Sequence, residues 1–404
     1  MRFNSKLAGF KSSIFTEMTA LANKHSAVNL GQGFPNFNPH GQVGSRLLQR
    51  ASEEILFGNK NQYCRSSGVL DLCQAVQQQF KTHQQLEYHA ESEVTVFSGA
   101  TEALFATLAA LLNPGDEVVL FQPHYDSYLF AIEAMRANAR VVTLRPHGDR
   151  FTFDYAELER AFVTGVAKPP KVLVLNSPHN PTGTVFSKQE LEQIAKLCIQ
   201  HDCLVVSDEV YEHITFDQIK HTSIATLPGM RDRTVCISSA GKTFSVTGWK
   251  VGWALANREI TEAIRTCHQY VTFSTATPFQ HALSSVLGDL PAMQQFITEL
   301  QHDYQHKRDK LCHGLTSAGL KVAQLPQGAY FALVDISPTK YKTDVDFCRQ
   351  VTTQVGVCAI PNSAFYSRPI LGETDKYARF AFCKTDHVLD LAIEKLIQGK
   401  HHLF

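Results

Sequence analysis

Two lysines lie close together in a stretch that is rich in small and hydroxyl-bearing residues. Lys242 follows the apolar run of residues 234–237 and sits among Ser, Gly and Thr residues, and Lys250 lies eight positions later. A lysine at the junction of a strand and a loop can form a Schiff base, because partial desolvation lowers its pKa and frees the nucleophilic amine. The neighbouring hydroxyls and the second cation suit an anionic group such as a phosphate. Taken alone, Lys242 would be interpreted as a surface lysine in a loop. Other segments of the sequence are needed to distinguish this from a Schiff-base lysine.

Polar residues that could do chemistry also follow two predicted buried strands. The apolar run 171–175 leads into Asn180, which two prolines and a glycine hold in an irregular loop, N-P-T-G. The run 203–207 ends at Asp208. A carboxylate at the C-terminal end of a buried parallel strand lies in the ligand crevice of an open α/β sheet. The alternative for Asp208 is the N-cap of a helix, which is a common use of aspartate.

These segments together resemble a known family. Residues 239–252 match the lysine motif of pyridoxal-phosphate-dependent, fold-type I aminotransferases of class I/II, S-x-x-K-x-[FY]-x-x-x-G-[WL]-[RK]-x-G. Residues 29–35, N-L-G-Q-G-F-P, resemble a loop of the methionine, glutamine and kynurenine aminotransferase branch. Asn36 stands where that branch usually has Asp, and Lys250 stands where many relatives have Arg. The resemblance covers nearly the whole chain.

The resemblance implies an α/β fold of the fold-type I transferases. We expect a large domain with a mostly parallel seven-stranded sheet between helices, and a smaller α/β domain. The implied division is an N-terminal segment that packs with the small domain (1–38), the large cofactor-binding domain (39–285) and the small C-terminal domain (286–404).

The resemblance also implies pyridoxal 5'-phosphate as cofactor, with Lys242, Asp208 and Tyr211 as the catalytic residues. Lys242 holds the cofactor, Asp208 pairs with its ring nitrogen, and Asn180 and Tyr211 bond its ring oxygen. Tyr125 stacks on the ring, although core packing is a serious alternative for this residue. The phosphate contacts implied by the family are Gly99, Ala100, Thr101, Ser239, Lys250 and, from the partner subunit of a homodimer, Tyr63.

The substrate carboxylate is assigned to Arg379 and Gly33, with Asn180 and the aromatic lid residue Phe15 also contacting substrate. Arg379 interrupts the alternating apolar run 377–382. A buried arginine costs desolvation unless it meets an anion, and its planar fork suits a carboxylate. A buried structural ion pair is the alternative, and the family pattern [YI]-x-R-F-x-F favours the substrate role.

Three functions are compatible with these motifs. The first is transamination of a large neutral amino acid (methionine, glutamine, aromatic or kynurenine-like) with a 2-oxo acid. The second is a cysteine-S-conjugate or cystathionine-type β-lyase, which uses the same cofactor residues. The third, a non-catalytic pyridoxal-phosphate sensor fused to a DNA-binding module, would need an N-terminal helix-turn-helix extension, which we do not expect here. No second arginine matches a position that would bind a distal carboxylate.

The elements that must position these residues, and the composition, fit such an enzyme. Strands are predicted at 94–97, 118–121, 171–175 and 203–207, and an antiparallel one at 251–255. The 404 residues carry 38 basic and 38 acidic side chains, so no global field indicates nucleic acid or membrane partners. The ten scattered cysteines suggest reduced thiols in the cytoplasm, and no metal site is predicted.

Overall fold

The computed structural model describes residues 14–163, 168–367, 370 and 372–404. The first 13 residues of the predicted N-terminal segment therefore lie outside the described residues. The helices of the described chain are α1 (Ile14–Lys24), α2 (Gly41–Leu56), α3 (Leu70–Gln84), α4 (Ala100–Leu111), α5 (Asp126–Ala134), α6 (Tyr155–Val163), α7 (Lys188–Gln200), α8 (Ala240–Thr243), α9 (Arg258–Val271), α10 (Thr277–Leu287), α11 (Leu290–Ser317), α12 (Asp344–Gln350) and α13 (Asp386–Gln398). The strands are β1 (Val28–Asn29), β2 (Val94–Phe97), β3 (Glu117–Gln122), β4 (Asn138–Thr143), β5 (Arg145–His147), β6 (Arg150–Thr152), β7 (Val172–Asn176), β8 (Leu204–Asp208), β9 (Thr234–Ser239), β10 (Gly252–Leu255), β11 (Lys321–Val322), β12 (Phe331–Asp335), β13 (Val357–Cys358), β14 (Ile360–Pro361) and β15 (Tyr377–Ala381).

A seven-stranded sheet forms the centre of the fold, in the order β2-β10-β9-β8-β7-β3-β4. Its pairings are parallel except those of β10, which runs antiparallel to both β2 and β9. Every residue of β2, β7 and β9 is buried, because helices cover both faces of the sheet. The predicted mostly parallel seven-stranded sheet and the antiparallel strand at 251–255 are confirmed.

The carboxyl ends of four sheet strands meet at one edge and carry the predicted site. β2 leads into the turn before α4, β7 into the loop with Asn180, β8 ends at Asp208, and β9 leads into α8 with Lys242. Because parallel strands point their carboxyl ends the same way, residues that are far apart in sequence converge there. The sheet topology therefore determines where these side chains meet.

A second, antiparallel sheet in the order β11-β12-β15-β14 lies in the C-terminal part of the chain. Arg379 stands in β15 between Leu333 of β12 and Ile360 of β14. Strand β1 pairs in parallel with β13, which attaches the N-terminal segment to this part of the fold. The division of the chain at 38/39 and 285/286 stays a prediction, and its second boundary falls inside α10.

None of the helices in the described residues combines the length and the apolar character that crossing a bilayer requires.

Candidate active site

A cavity of about 420 Å³ opens at the edge where these strands end. It is bounded by the central sheet on one side and by the loop after β1 and strand β15 on the other. The predicted site residues that line it are Phe15, Gly33, Gly99, Ala100, Thr101, Tyr125, Asn180, Asp208, Tyr211, Ser239, Lys242, Lys250 and Arg379. The fold thus brings together all but one of the residues that the sequence singled out.

Lys242 lies in the cavity on the one-turn helix α8. Its Nζ is 5.7 Å from the centre of the Tyr211 ring and 5.8 Å from that of Tyr330. Burial lowers the pKa of Lys242 to about 8. The positive charge of Lys250 lowers this pKa further, whereas the negative charge of Asp208 opposes the shift. An amine with this pKa is available as a nucleophile or a base close to neutral pH.

Asp208 faces the cavity from the end of β8 and is held by two bonds. Tyr128 Oη donates to its Oδ2 at 2.5 Å, and the backbone N–H of Val210 donates to its Oδ1 at 3.3 Å. Burial raises the pKa of this carboxyl to about 6, while the bond from Tyr128 opposes that rise. The residue is therefore an oriented carboxylate above about pH 6. Such a group can pair with a cationic ring nitrogen.

The loop after β7 is fixed to Asp208 through Asn176. The Nδ2 of Asn176 donates to the Asp208 backbone carbonyl at 2.9 Å, and its Oδ1 accepts the N–H of Asn180 at 2.8 Å. Asn180 Oδ1 in turn accepts from Arg379 at 2.9 Å. This leaves the Nδ2 of Asn180, a residue that lines the cavity, as its side-chain donor. The predicted bond of Asn180 to a cofactor ring oxygen stays a prediction.

One corner of the cavity is suited to an anion. Helix α4 begins at Ala100, so its N-terminus directs free backbone N–H groups towards this corner. Gly99 has φ of 84°, and a Cβ there would lie 3.0 Å from Lys250 Nζ. Lys250 forms no ion pair within the described part of the chain. A cation without a carboxylate partner beside a helix N-terminus is the donor set that binds a phosphate.

Arg379 is almost fully buried and forms a second anion site. Its Nη1 donates to Asn180 Oδ1 at 2.9 Å and its Nη2 to the Gly31 carbonyl at 2.8 Å, whereas its Nε has no partner among the described residues. Its Cζ lies 4.1 Å from the centre of the Phe331 ring and 5.2 Å from that of Phe15. No carboxylate of the described chain forms an ion pair with it, so the structural ion pair proposed as an alternative is absent there. An unpartnered buried donor of this kind fits a ligand carboxylate.

Gly33 lies against the Phe331 ring, which Arg379 also contacts. A Cβ at this position would lie 2.7 Å from the Phe331 ring, so the loop can approach this closely only without a side chain. Tyr330 Oη donates to the Gly33 carbonyl at 2.7 Å. The loop is therefore fixed against the ring that also supports Arg379.

Tyr63 does not line the cavity. The residue is 80% exposed, and its ring packs edge-on against the Phe273 ring, with the two ring centres 5.2 Å apart. The predicted contact of Tyr63 with the phosphate on a partner subunit stays a prediction.

Sequence reasoning missed several lining residues, and three of them, Tyr128, Asn176 and Asp126, carry polar groups that bear on the chemistry of the site. Tyr128 follows Tyr125 by three positions, so helical periodicity from α5 could have placed it on the same face. Asn176 is the last residue of β7, where the rule applied to Asp208 also holds. Asp126 had no pattern to indicate it.

Comparison with known proteins agrees with this geometry. The family model described as aminotransferase class I and II matches residues 25–396. The chain is 39% identical over 399 residues to a probable N-succinyldiaminopimelate aminotransferase of Mycobacterium tuberculosis, covering 97% of each chain. It is 39% identical over 395 residues to a methionine aminotransferase of Escherichia coli, covering 98% of this chain and 97% of the other. It is 38% identical over 428 residues to a kynurenine–oxoglutarate transaminase of Dictyostelium discoideum, covering 98% and 96%.

Solved structures give the same result. The N-succinyldiaminopimelate aminotransferase structure from M. tuberculosis superposes with a TM-score of 0.92 at 38% identity, over 98% of this chain and 100% of the other. The E. coli protein with methionine aminotransferase function superposes with a TM-score of 0.91 at 38% identity, again over 98% and 100%.

Proposed function

The chain belongs to the aminotransferase class I and II family and is an aminotransferase, and on that premise we propose that its donor is a large neutral amino acid and its acceptor a 2-oxo acid. Donors of this class include methionine, glutamine, aromatic amino acids and kynurenine. Two of the relatives named above are a methionine aminotransferase and a kynurenine–oxoglutarate transaminase, which supports this class.

The observation that carries the proposal is the distribution of charge in the cavity. Arg379 is the one arginine among the described residues that line it, and it is needed for the α-carboxylate. The remaining lining includes Phe15, Tyr125 and Phe331, which offer apolar surface to a side chain. A further carboxylate, Asp126, also lines the cavity. A donor with a second carboxylate would find no arginine partner there and would be repelled by Asp126.

The residues present fit pyridoxal 5'-phosphate, and we propose it as the cofactor. The corner formed by Lys250 and the N-terminus of α4 fits its phosphate, Asp208 fits its ring nitrogen, and the amine of Lys242 would bind it covalently. When bound, this cofactor supplies an electron sink for negative charge at the substrate α-carbon.

The chain's own residues then bind, orient and move a proton. Arg379 and the N–H of Gly33 hold the α-carboxylate, which presents the α-carbon to Lys242. With a pKa of about 8, Lys242 Nζ can both remove and return the α-proton near neutral pH. Tyr211 and the Nδ2 of Asn180 are available to bond the ring oxygen.

The test is the absorbance spectrum of the purified protein with added cofactor. We expect a visible band that disappears when methionine or glutamine is added and returns with a 2-oxo acid. Lys242→Ala should abolish this cycle, whereas Lys196→Ala, which removes an exposed lysine of α7, should leave it intact. A protein that binds no chromophore in excess cofactor would refute the proposal.

The β-lyase alternative is not favoured by the comparisons, since the relatives named are transaminases. The β-lyase alternative predicts a different outcome when the same protein is given a cysteine conjugate. A lyase would release pyruvate, ammonia and a thiol from a cysteine conjugate without any need for a 2-oxo acid. Turnover that depends on the 2-oxo acid supports transamination instead.

We further propose a homodimer with shared active sites in the cytoplasm. Phe57, Tyr63 and Tyr270 are each 80% exposed or more, which leaves large apolar side chains to be covered by a second copy. The ten cysteines are free thiols, which supports a reducing compartment. Light scattering should give twice the chain mass. A stable monomer with full activity would contradict the shared site.

A further inference from the structure

The backbone of residues 31–34 is held in an unusual way. This segment follows β1 and contains Gly33, which lines the cavity together with Arg379. Each of its four successive carbonyl oxygens accepts a hydrogen bond from a side chain of the C-terminal part of the fold. In order along the chain, the donors are Arg379 Nη2 at 2.8 Å, Lys384 Nζ at 3.0 Å, Tyr330 Oη at 2.7 Å and Lys384 Nζ again at 2.7 Å.

Lys384 is the member of this set that has no role so far. It lies three residues beyond the end of β15 and is only 4% exposed. It forms no ion pair with the described residues, and its partners are two carbonyls and the ring of Phe34, whose centre is 4.9 Å from Nζ. A buried ammonium group is costly unless its donors are satisfied, so this lysine is committed to the loop.

The bond to the Gln32 carbonyl has a geometric consequence for Gly33. The carbonyl of residue 32 and the N–H of residue 33 belong to one planar, trans peptide unit, in which the two groups point in opposite directions. A donor that fixes the Gln32 oxygen therefore also fixes the direction of the Gly33 N–H. This N–H has no acceptor among the described residues, and Gly33 lines the same cavity as Arg379.

The charge on Lys384 adds a second effect. A cation bonded to the carbonyl of a peptide unit polarises that unit and makes its N–H a stronger donor. The N–H so strengthened belongs to Gly33, which lines the cavity. The bond at Phe34 then keeps the end of the loop in place, so that the loop cannot rotate about the first contact.

We propose that Lys384 is a positioning residue for substrate binding, which orients and polarises the Gly33 N–H towards the same carboxylate that Arg379 binds. This inference rests on the proposed function, in which Gly33 and Arg379 hold the α-carboxylate. Lys384 is not among the described residues that line the cavity, so its effect passes through the Gln32–Gly33 peptide.

The test uses the cofactor-loaded enzyme carrying Lys384→Met. This substitution removes the hydrogen bonds to the Gln32 and Phe34 carbonyls and keeps a side chain of similar length. We expect KM for methionine to rise about tenfold while kcat changes less than about twofold, because an interaction that is equal in the bound and transition states is lost. The affinity for 3-phenylpropanoate, a carboxylate without an amino group, should fall by a similar factor when it is measured by calorimetry. Hydrogen exchange at residues 31–34 should become faster.

Lys307→Met is the matched control. Lys307 is also 4% exposed, but its Nζ pairs with the carboxylates of Asp303 and Asp386 rather than with the loop carbonyls. It should lower stability without changing the affinity for 3-phenylpropanoate. If Lys384→Met does not fold, Lys384→Gln, which keeps a neutral donor, should show the same split between KM and kcat in weaker form. Lys384→Arg, which keeps the charge and the donors, should recover affinity.

Three results would overturn the proposal. One is an unchanged affinity for 3-phenylpropanoate in folded Lys384→Met or Lys384→Gln protein. The second is a fall in kcat at constant KM. The third is an equal loss of affinity in Lys307→Met, which would indicate general loosening. Failure of the proposed function is distinguishable, because the wild-type protein itself would then show no reversible spectral change with methionine and a 2-oxo acid.

Discussion

The reactivity of Lys242 can be tested without any substrate. Burial lowers its pKa from 10.5 to about 8 in the cofactor-free protein. At pH 8 about half of the Lys242 side chains would then be neutral, compared with roughly 0.3% for a lysine with a pKa of 10.5. The neutral and nucleophilic fraction is therefore on the order of 150 times larger at that pH.

Two substitutions should move this pKa in opposite directions. Asp208 raises the pKa of Lys242 because a negative charge stabilises the ammonium form, so Asp208→Asn should lower it. Lys250 lowers the pKa of Lys242 by repulsion, so Lys250→Met should raise it. In both variants desolvation by the cavity wall is retained, and the midpoint should stay below 10.5.

The assay is competitive labelling of cofactor-free protein with a trace of acetic anhydride from about pH 6 to about pH 11. The extent of acetylation at Lys242 is read by peptide mass spectrometry, with the exposed Lys196 as an internal reference for the reagent. A wild-type midpoint at 10.5 would refute the argument from burial. A shift of both variants in the same direction would refute the assignment of the two charges.

Three further predictions concern the walls of the site. Gly33→Ala should lower kcat/KM for methionine about tenfold or more, because the added Cβ would displace the Phe331 ring that supports the carboxylate site. An unchanged kcat/KM would mean that the loop tolerates a side chain at this position. Tyr128→Phe removes the hydrogen bond that lowers the pKa of Asp208, so this pKa should rise above about 6. The acid limb of the kcat/KM profile should then move to higher pH, and an unchanged limb would contradict this role of Tyr128. Asp126→Asn should raise kcat/KM for glutamate relative to methionine by roughly tenfold, because a repulsive charge is removed; an equal change for both donors would contradict a role in selectivity.

The motifs at residues 180–183, 208–211 and 239–252 indicated the family by resemblance, and the resemblance implied the seven-stranded central sheet. Each motif follows an apolar strand whose type is evident from local sequence, and parallel strands must bring their carboxyl ends to one edge. The antiparallel strand β10 was also predicted, and it lies between β2 and β9 as the register shows. The motifs, together with the family resemblance that they carry, therefore predicted most of the residues that the fold brings to the cavity.

Contacts between distant segments could not be read in this way. Tyr128 bonds Asp208 across 80 positions, and Lys384 bonds the Gln32 carbonyl across 352 positions. No local periodicity relates such pairs, because they meet only when helices and strands pack together. The same holds for the pKa of Lys242, which depends on burial and on the charges that packing places around it.

The sequence by itself determined which residues can do chemistry, because residue type and strand-end position are local properties. The tertiary structure set the burial, the hydrogen-bond partners and the charged neighbours of those residues. Among the described residues, it buried Arg379 with one donor that has no partner, and it gave Lys250 no carboxylate partner. It also fixed the four carbonyls of residues 31–34. These features depend on distances and desolvation between elements far apart in the chain, and only the folded arrangement sets them.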